Sequence, residues 1–178
     1  MKNLADMRRS DREVSDPAEI IDILNRADTI RLGLHADPYP YVVPVSFGFA
    51  ATDDKIVFYF HGATEGLKHD LLQRNPLVCV ETDILHRYSE TSTGVTAEYE
   101  SFIGFGRITR VYDGEACRGL DLLLSHCGFD GYVYDHAVAL AGTWVYKIDV
   151  TSFSGKKRFL EKPAQLESAL SYKYKESS

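Results

Sequence analysis

Two glycines and a lysine at fixed spacing are the clearest candidates for chemistry in this sequence. They form the pattern Gly62-x-x-x-Gly66-x-Lys68, directly after an apolar run that ends at Phe60. Gly66 falls in the first turn of a predicted helix, where glycine costs about 1 kcal/mol relative to alanine. Lys68 places a cation near the positive end of that helix, which is the unfavourable end. Both residues make sense if a phosphate docks on the free amides of the first turn.

The alternative is a solvated lysine beside a packing glycine, and these residues alone do not decide between the two. The pattern lacks the Gly-Lys-Ser/Thr ending of a nucleoside-triphosphate loop, and it is not the Gly-x-Gly-x-x-Gly turn of dinucleotide sites. A different phosphate-bearing ligand is therefore indicated. His61 ends the strand and faces opposite to Phe60, so we expect it near that ligand. The alternative role for His61 is a hydrogen bond that holds the junction.

The elements around this motif are a predicted strand and a predicted helix. Apolar and aromatic residues alternate from Ile56 to His61, which is typical of a buried strand. Leucines then fall at helical spacing, with Thr64 as a possible cap and Pro76 ending the helix. The motif is therefore expected at a junction between a strand and a helix.

Strand signals recur along the rest of the chain. The six predicted strands span 30–35, 42–49, 56–61, 77–82, 98–112 and 144–150. Pro44 cannot donate to a sheet, so the second strand is expected to be open, bulged or at an edge there. Gly104 and Gly106 indicate a bulge or a close backbone approach. Short strands with irregularly inserted helices favour an antiparallel sheet or a small barrel.

The remaining segments are predicted from their caps and polarity. Asp16 and Pro17 predict the start of a helix, and Asp113 is expected to cap another helix that ends before Gly128. Residues 1–15 are interpreted as a polar arm, and residues 83–97 as a long loop. We divide the chain into one domain, 1–160, and a polar tail, 161–178.

Composition excludes several classes of protein. The 178 residues are 44% hydrophobic and 26% charged, as in a soluble globular domain. A net charge of −6 argues against nucleic acid as a partner. The apolar runs are too short for a bilayer, and the first residues lack the apolar core of a signal peptide, so we expect a cytoplasmic protein without a membrane partner. The three scattered cysteines are expected to be buried thiols, and the scattered histidines predict no metal site.

With these elements in order, the chain resembles the FMN-binding split-barrel superfamily of pyridoxamine 5'-phosphate oxidase, and within it the 5-nitroimidazole-resistance (Nim-type) flavoproteins. The resemblance is carried by four stretches and by the ending Ser154-Gly-Lys-Lys-Arg158. The stretches are Met7-Arg-Arg9 through Ile20, Pro40-Tyr-Val-Val-Pro-Val-Ser-Phe-Gly-Phe49, Phe58-Tyr-Phe-His-Gly-Ala63 through Cys79, and Tyr99-Glu-Ser-Phe-Ile-Gly-Phe-Gly-Arg107. Together they span nearly the whole chain.

The resemblance implies a homodimeric, six-stranded antiparallel split β-barrel with flanking helices and FMN at the subunit interface. It places the isoalloxazine along one segment and the ribityl phosphate at the glycine–lysine junction, with the second subunit covering the flavin. The implied cofactor-binding residues are Pro44, Val45, Ser46, Phe47, His61, Gly62, Ala63, Thr64, Gly66, Lys68, Ser101 and Trp144.

The implied activity is reduction of a small electron-poor substrate, such as a nitroaromatic compound or a quinone, with His61 as proton donor or substrate clamp. Lys68 is the one cation at the helix start, whereas the oxidase itself uses several cations to hold two phosphates, so vitamin B6 oxidation is not expected. Relatives that bind FAD, haem or deazaflavin leave those cofactors open. The competing function is a flavin or haem carrier without a dedicated substrate.

Overall fold

One antiparallel sheet organises the structure, a computed structural model that describes residues 7–52 and 55–160. Its strands are β1 (Glu13–Val14), β2 (Ile30–Leu34), β3 (Tyr41–Val45), β4 (Gly48–Ala51), β5 (Ile56–Ala63), β6 (Leu77–Thr91), β7 (Gly94–Val111) and β8 (Thr143–Arg158). The helices are α1 (Pro17–Arg26), α2 (Leu67–Arg74), α3 (Asp113–His126) and α4 (His136–Ala141). The predicted class, mainly antiparallel β with flanking helices, is confirmed.

The connection between β3 and β4 shows that this sheet is curled. The strand order is β3-β2-β6-β7-β8-β5-β4, so β3 and β4 are its two ends. In a flat sheet of this order the ends would lie about 29 Å apart, at roughly 4.8 Å per strand. Yet only Ser46 and Phe47 join them, a reach of about 10 Å. The sheet therefore curves into a barrel that is split between β3 and β4.

Four phenylalanine rings lie in the core of this barrel among many aliphatic side chains. Phe47, Phe58, Phe60 and Phe102 are fully buried. The Phe58 ring makes edge contacts with Phe47 at 5.6 Å and with Phe102 at 5.8 Å between centroids. Such pairs add specific geometry to the hydrophobic burial. The segment that joins the two sheet ends is thus held in place by Phe47.

The sheet has eight strands among the described residues, two more than the six expected. One addition arises because the predicted strand over 42–49 is divided at Ser46, where the chain turns and passes from β3 to β4. The other is β1, which pairs with β8 inside the segment interpreted as an arm. Two residues are too few to show a period, so the sequence carried no signal for β1.

The loop predicted over 83–97 is wrong, because β6 and β7 continue through it as one long hairpin. Its two strands stay paired up to Thr91 and Gly94. Part of the polarity that suggested a loop belongs to side chains that bond buried acids, because Arg87 and Ser89 bond Glu98. Glu98 and Glu100 are buried in this hairpin and are bonded to Arg87 and Arg26, respectively. Paired buried carboxylates can lie in a strand at acceptable cost.

The helix that begins at Pro17 is confirmed, and its start matches the predicted cap. The Asp16 carboxylate accepts a hydrogen bond from the Ala18 amide at 2.9 Å. Ile20, Ile23 and Leu24 are buried on one face of α1. Glu19 was expected to close a capping box, but its carboxylate binds Lys157 of β8. The cap therefore rests on Asp16 and Pro17.

Three local predictions are wrong. Thr64 does not cap α2, because Gly66 occupies the cap position with φ of 114°. Asp113 makes no capping hydrogen bond, because it is itself the first residue of α3. Cys127 is exposed at the end of α3, since the buried face of this helix ends at Leu123.

The bulge predicted at Gly104 and Gly106 is confirmed in β7 by a register shift between Phe105 and Gly106 against β8. Pro44 lies on β3, which is an edge strand of the sheet order. The tail over 161–178 and the first six residues lie outside the described part of the chain. Among the described helices, none has the length and apolar character needed to cross a membrane.

Candidate functional site

The ends of three neighbouring strands meet helix α2 on one side of the sheet. In the register, Gly62 of β5 lies opposite Trp144 of β8, and Tyr146 lies between Phe60 and Arg110 of β7. Directly paired residues share a face of the sheet. This face is covered by α2, because His69 contacts both the Trp144 ring and the Tyr146 hydroxyl.

The junction between β5 and α2 places Lys68 at a helix start as predicted, but Gly66 precedes the helix and does not lie in its first turn. Gly66 is the residue before the helix, its φ is 114°, and no side chain caps the helix amides. A positive φ favours glycine, and no other atom lies within 4 Å of the position that a Cβ on Gly66 would take. The amides of the first turn are therefore left without a side-chain acceptor among the described residues.

The Lys68 side chain folds back over this junction. Its Nζ lies 2.9 Å from the position of a Cβ built on Gly62, and 5.2 Å from the centre of the Phe60 ring. Burial lowers the pKa of Lys68, and no carboxylate of the described residues counters that effect. The absence of a side chain at Gly62 thus makes room for a half-buried cation beside open helix amides.

His61 lies at the same strand end, but its side chain is on the opposite face of the sheet. Its cross-strand partner is Val145, which packs against α3 through Ala116 and Leu120. Burial, and then the positive charge of Lys68, lowers the pKa of His61 below 6.5. His61 is therefore neutral at neutral pH, and Lys68 approaches it closely enough to influence its charge.

The segment Pro44 to Phe47 lies at the split between the two ends of the sheet. The side chains of Val45 and Phe47 are buried in the core, whereas Pro44 and Ser46 are exposed. Phe47 is fully buried, backbone included, so the exposed atoms of this segment belong mainly to Pro44 and Ser46. Ala63 and Thr64 are exposed at the β5–α2 junction, beside Gly62.

Ser101 and Trp144 are far apart within this chain. Ser101 pairs with Lys156 near the end of β8, whereas Trp144 is near the beginning of that strand. Within the same chain, Trp144 lies between His69 and Arg110. The His69 and Trp144 ring centroids are 4.4 Å apart, and the Arg110 guanidinium carbon is 3.5 Å from the Trp144 ring centroid. The structure therefore brings Gly62, Lys68 and Trp144 together and leaves Ser101 apart.

Sequence reasoning missed Arg110 and His69 as members of this neighbourhood. Arg110 lines a cavity of about 240 Å³ between α2, β7 and β8. A signal was present, because Arg110 follows buried Ile108 at a spacing of two on a strand, which places the cation on the covered face. Its partners Trp144 and His69 come from distant segments, so the contact itself could not be predicted.

These features define a β-barrel protein with an uncapped helix start beside a half-buried lysine. Residues 16–157 match the family model described as pyridoxamine 5'-phosphate oxidase, and the chain belongs to this family. The resemblance found in the sequence is confirmed. No curated protein matches the chain.

Several solved structures share the fold. A candidate 5-nitroimidazole antibiotic resistance protein from Bacteroides thetaiotaomicron is 29% identical, with 81% of this chain and 85% of that chain covered and a TM-score of 0.71. The flavocytochrome Anf3 from Azotobacter vinelandii is 18% identical, with 89% and 76% covered and a TM-score of 0.69. An FAD- and haem-binding protein from Mycobacterium smegmatis is 19% identical, with 89% and 80% covered and a TM-score of 0.68.

Proposed function

We propose that this protein binds FMN and uses it to reduce a small electron-poor molecule. The observation that carries the proposal is the junction of β5 and α2, where Lys68 lies over Gly62 beside an uncapped helix start. Membership of the pyridoxamine 5'-phosphate oxidase family supports a flavin at this barrel. The similarity to a candidate nitroimidazole-resistance protein supports the substrate class.

The residues present fit a flavin phosphate. Amides of the first turn of α2 donate to the phosphate oxygens, and Lys68 adds a charge-assisted hydrogen bond. Gly66 keeps the approach open, because nothing lies within 4 Å of where its side chain would be. One cation at this junction suits the single phosphate of FMN better than the two phosphates of FAD.

The rest of the flavin is assigned to the split in the barrel. The exposed residues Pro44 and Ser46 would lie along the edge of the isoalloxazine, with Ala63 and Thr64 beside the ribityl chain. In this proposal a second copy of the chain covers the flavin, with Ser101 contributed from that copy. When bound, the flavin supplies the electron transfer, while the chain orients it and excludes water.

His61 is the residue that we assign to proton donation. His61 directly precedes Gly62, and burial and then the positive charge of Lys68 lower the pKa of its imidazole. A positioned histidine that gives up a proton during reduction is a common form of general acid catalysis. Its alternative role is to hold the junction without moving a proton.

Two measurements test the cofactor assignment. The absorption spectrum of the purified protein should show flavin bands. Lys68→Ala should weaken FMN by about 1.5–3 kcal/mol, the range for a hydrogen bond to a charged group. Lys55→Ala, an exposed lysine before β5, serves as the control and should bind FMN like the parent. Equal FMN affinity of Lys68→Ala and the parent, measured by flavin fluorescence quenching, would refute the phosphate site.

A third measurement separates an enzyme from a carrier. The reduced protein is mixed anaerobically with a nitroimidazole, and flavin reoxidation is followed by absorbance. Prompt reoxidation supports the reductase. A flavin that stays reduced, or a Soret band in place of flavin bands, supports the alternative of a flavin or haem carrier.

A further inference from the structure

A cavity between α2, β7 and β8 contains a cation that forms no ion pair with a carboxylate of the described residues. Its lining is aromatic and apolar on several sides and polar at a few points. The lining residues are His69, Leu72, Gln73, Ile108, Thr109, Arg110, Tyr112, Trp144 and Tyr146. Apolar walls with a few convergent polar groups are typical of small-molecule sites.

Arg110 is held by aromatic rings instead of by acids. Its guanidinium lies 3.5 Å from the centre of the Trp144 ring and 4.6 Å from that of Tyr112. Its Nε is buried and has no hydrogen-bond partner within the described part of the chain. A buried donor left unpaired costs about 1–3 kcal/mol. The guanidinium is thus under-bonded where Arg110 lines the cavity, and a ligand there can accept from its other nitrogens.

A hydrogen-bond chain on the other side of the cavity directs a second donor. With the Gln73 amide oriented as in the structure, its nitrogen lies 2.9 Å from His69 Nε2, which must therefore accept. His69 Nδ1 then carries the proton and donates to the Tyr146 oxygen, 3.2 Å away. The Tyr146 hydroxyl hydrogen is left free to donate to a ligand.

We propose that this cavity binds the carboxylate of a small planar aromatic acid. The carboxylate accepts hydrogen bonds from Arg110 and from the Tyr146 hydroxyl, and a guanidinium binds a carboxylate in a matching planar fork. The ring of the acid packs between the aromatic and apolar walls. The cavity adjoins the proposed flavin phosphate site, because Trp144 pairs with Gly62, but Lys68 does not line it, and its argument stands without a bound flavin.

Trp144 makes the test specific to this cavity, because it is the only tryptophan of the chain. Benzoate is titrated into the full-length protein while Trp144 fluorescence is recorded, and calorimetry repeats the titration on flavin-loaded protein. Benzamide, which has the same shape without the charge, is the matched ligand control. We expect benzoate to bind about 10- to 100-fold more tightly than benzamide, as for a charge-assisted hydrogen bond.

Two variants locate the charge. Arg110→Met should weaken benzoate by about 10- to 100-fold, and Tyr146→Phe by about 2- to 10-fold. Arg107→Met removes an exposed arginine of the same strand and should leave benzoate binding unchanged. Arg110→Lys keeps the charge without the fork, and circular dichroism checks that each variant is folded.

Three outcomes would overturn the proposal. The first is equal affinity for benzoate and benzamide. The second is unchanged benzoate binding in folded Arg110→Met or Arg110→Lys. The third is displacement of benzoate by inorganic phosphate or by FMN at matched concentration, which would assign the cavity to the cofactor phosphate. Loss of FMN binding in Lys68→Ala with benzoate binding retained would support two separate anion sites.

Discussion

Lys68 and Arg110 share a feature that points to ligands at the residue scale. Each packs on an aromatic ring, and neither forms an ion pair with a described carboxylate. Other arginines, such as Arg26 and Arg31, form ion pairs with glutamates. Charges that a protein leaves half-buried and unpaired cost stability unless something binds them. These two cations are therefore the best guides to what the barrel binds.

The two cations differ in how far the sequence could reveal them. Lys68 was predicted because its signal is local: a glycine and a cation at a helix start contradict ordinary helix preferences. Arg110 was missed because the features that define it are contacts with Trp144 and Tyr112 and a hydrogen bond left unmade. Those depend on pairing β7 with β8, which residue spacing does not specify.

The first residue-scale prediction concerns His61. The pKa of His61 lies below 6.5. The protonated form that would donate during reduction therefore disappears as the pH rises through that lowered pKa. The rate of nitroreduction should therefore show a step below pH 6.5. His61→Gln should keep flavin binding, slow the reaction and remove the step. In Lys68→Ala the step should move to higher pH, because one cause of the lowering is gone.

The measurement for His61 is the rate per bound flavin as a function of pH. A variant with lost flavin but unchanged turnover of the remaining holoprotein would assign His61 a structural role. The alternative in which His61 only holds the junction would then be correct.

The second residue-scale prediction concerns Glu100 in the long hairpin. Burial alone would raise its pKa, but hydrogen bonds from Arg26 at 2.7 Å and His86 at 2.8 Å lower it below 4.5. The bonds of ionised Glu100 with Arg26 and His86 therefore stabilise the fold above about pH 4.5. This stabilisation disappears as the pH falls through the lowered pKa of Glu100. Glu100→Gln should cost about 1.5–3 kcal/mol at neutral pH.

Thermal unfolding at neutral and acid pH tests this assignment. The gap in melting temperature between parent and Glu100→Gln should narrow in acid, because the parent loses its charged partner there. Glu90→Gln, an exposed residue of the same hairpin, should melt like the parent at both pH values. A gap that is independent of pH would show that the carboxylate charge is not what stabilises the hairpin.

At the scale of elements, the segments with local start signals were the predictable ones. Asp16 and Pro17 predicted α1, and the change of period after Phe60 predicted β5 followed by α2. The hairpin of β6 and β7 was missed because its polar residues mimic a loop. Buried Glu98 is tolerated there because Arg87, on the facing strand β6, bonds to it. Buried Glu100 is tolerated because Arg26, at the end of α1, bonds to it.

The close packing of α3 on β4 gives an element-scale prediction. A Cβ on Gly48 would lie 2.3 Å from the Leu123 nitrogen, so α3 rests directly on the strand backbone. Gly48→Ala should destabilise the protein by about 1–3 kcal/mol, the usual cost of overpacking. Gly114→Ala, in the first turn of the same helix with nothing within 4 Å, should be neutral or stabilise by up to about 1 kcal/mol.

Denaturant unfolding of the two alanine variants checks this contrast. Because both substitutions are glycine to alanine, the change in unfolded-chain entropy is the same for each. If Gly48→Ala were as stable as Gly114→Ala, α3 would not be fixed against β4 as described.

At the scale of the whole molecule, the sequence offers Trp144, Tyr146 and the strand from Tyr99 as candidates for an apolar face that the barrel leaves uncovered. Tyr146 is buried, and Trp144 lies against His69 and Arg110. Ile103, on the strand from Tyr99, is exposed, as are Leu85, Tyr88 and Val95 on the same hairpin. Other large exposed apolar residues lie outside the hairpin.

The last prediction is that this protein is a homodimer whose interface includes the β6–β7 hairpin. Exposed apolar side chains along a hairpin normally mark an interface, and closed twofold pairing is the commonest solution. We expect light scattering to give twice 20.0 kDa, and dilution to a monomer to release the flavin. Ile103→Arg, in the middle of β7, should favour the monomer and weaken flavin binding together, whereas Val133→Arg, outside the hairpin, should do neither. A flavin-bound monomer would contradict the prediction, because the flavin would then need no second subunit.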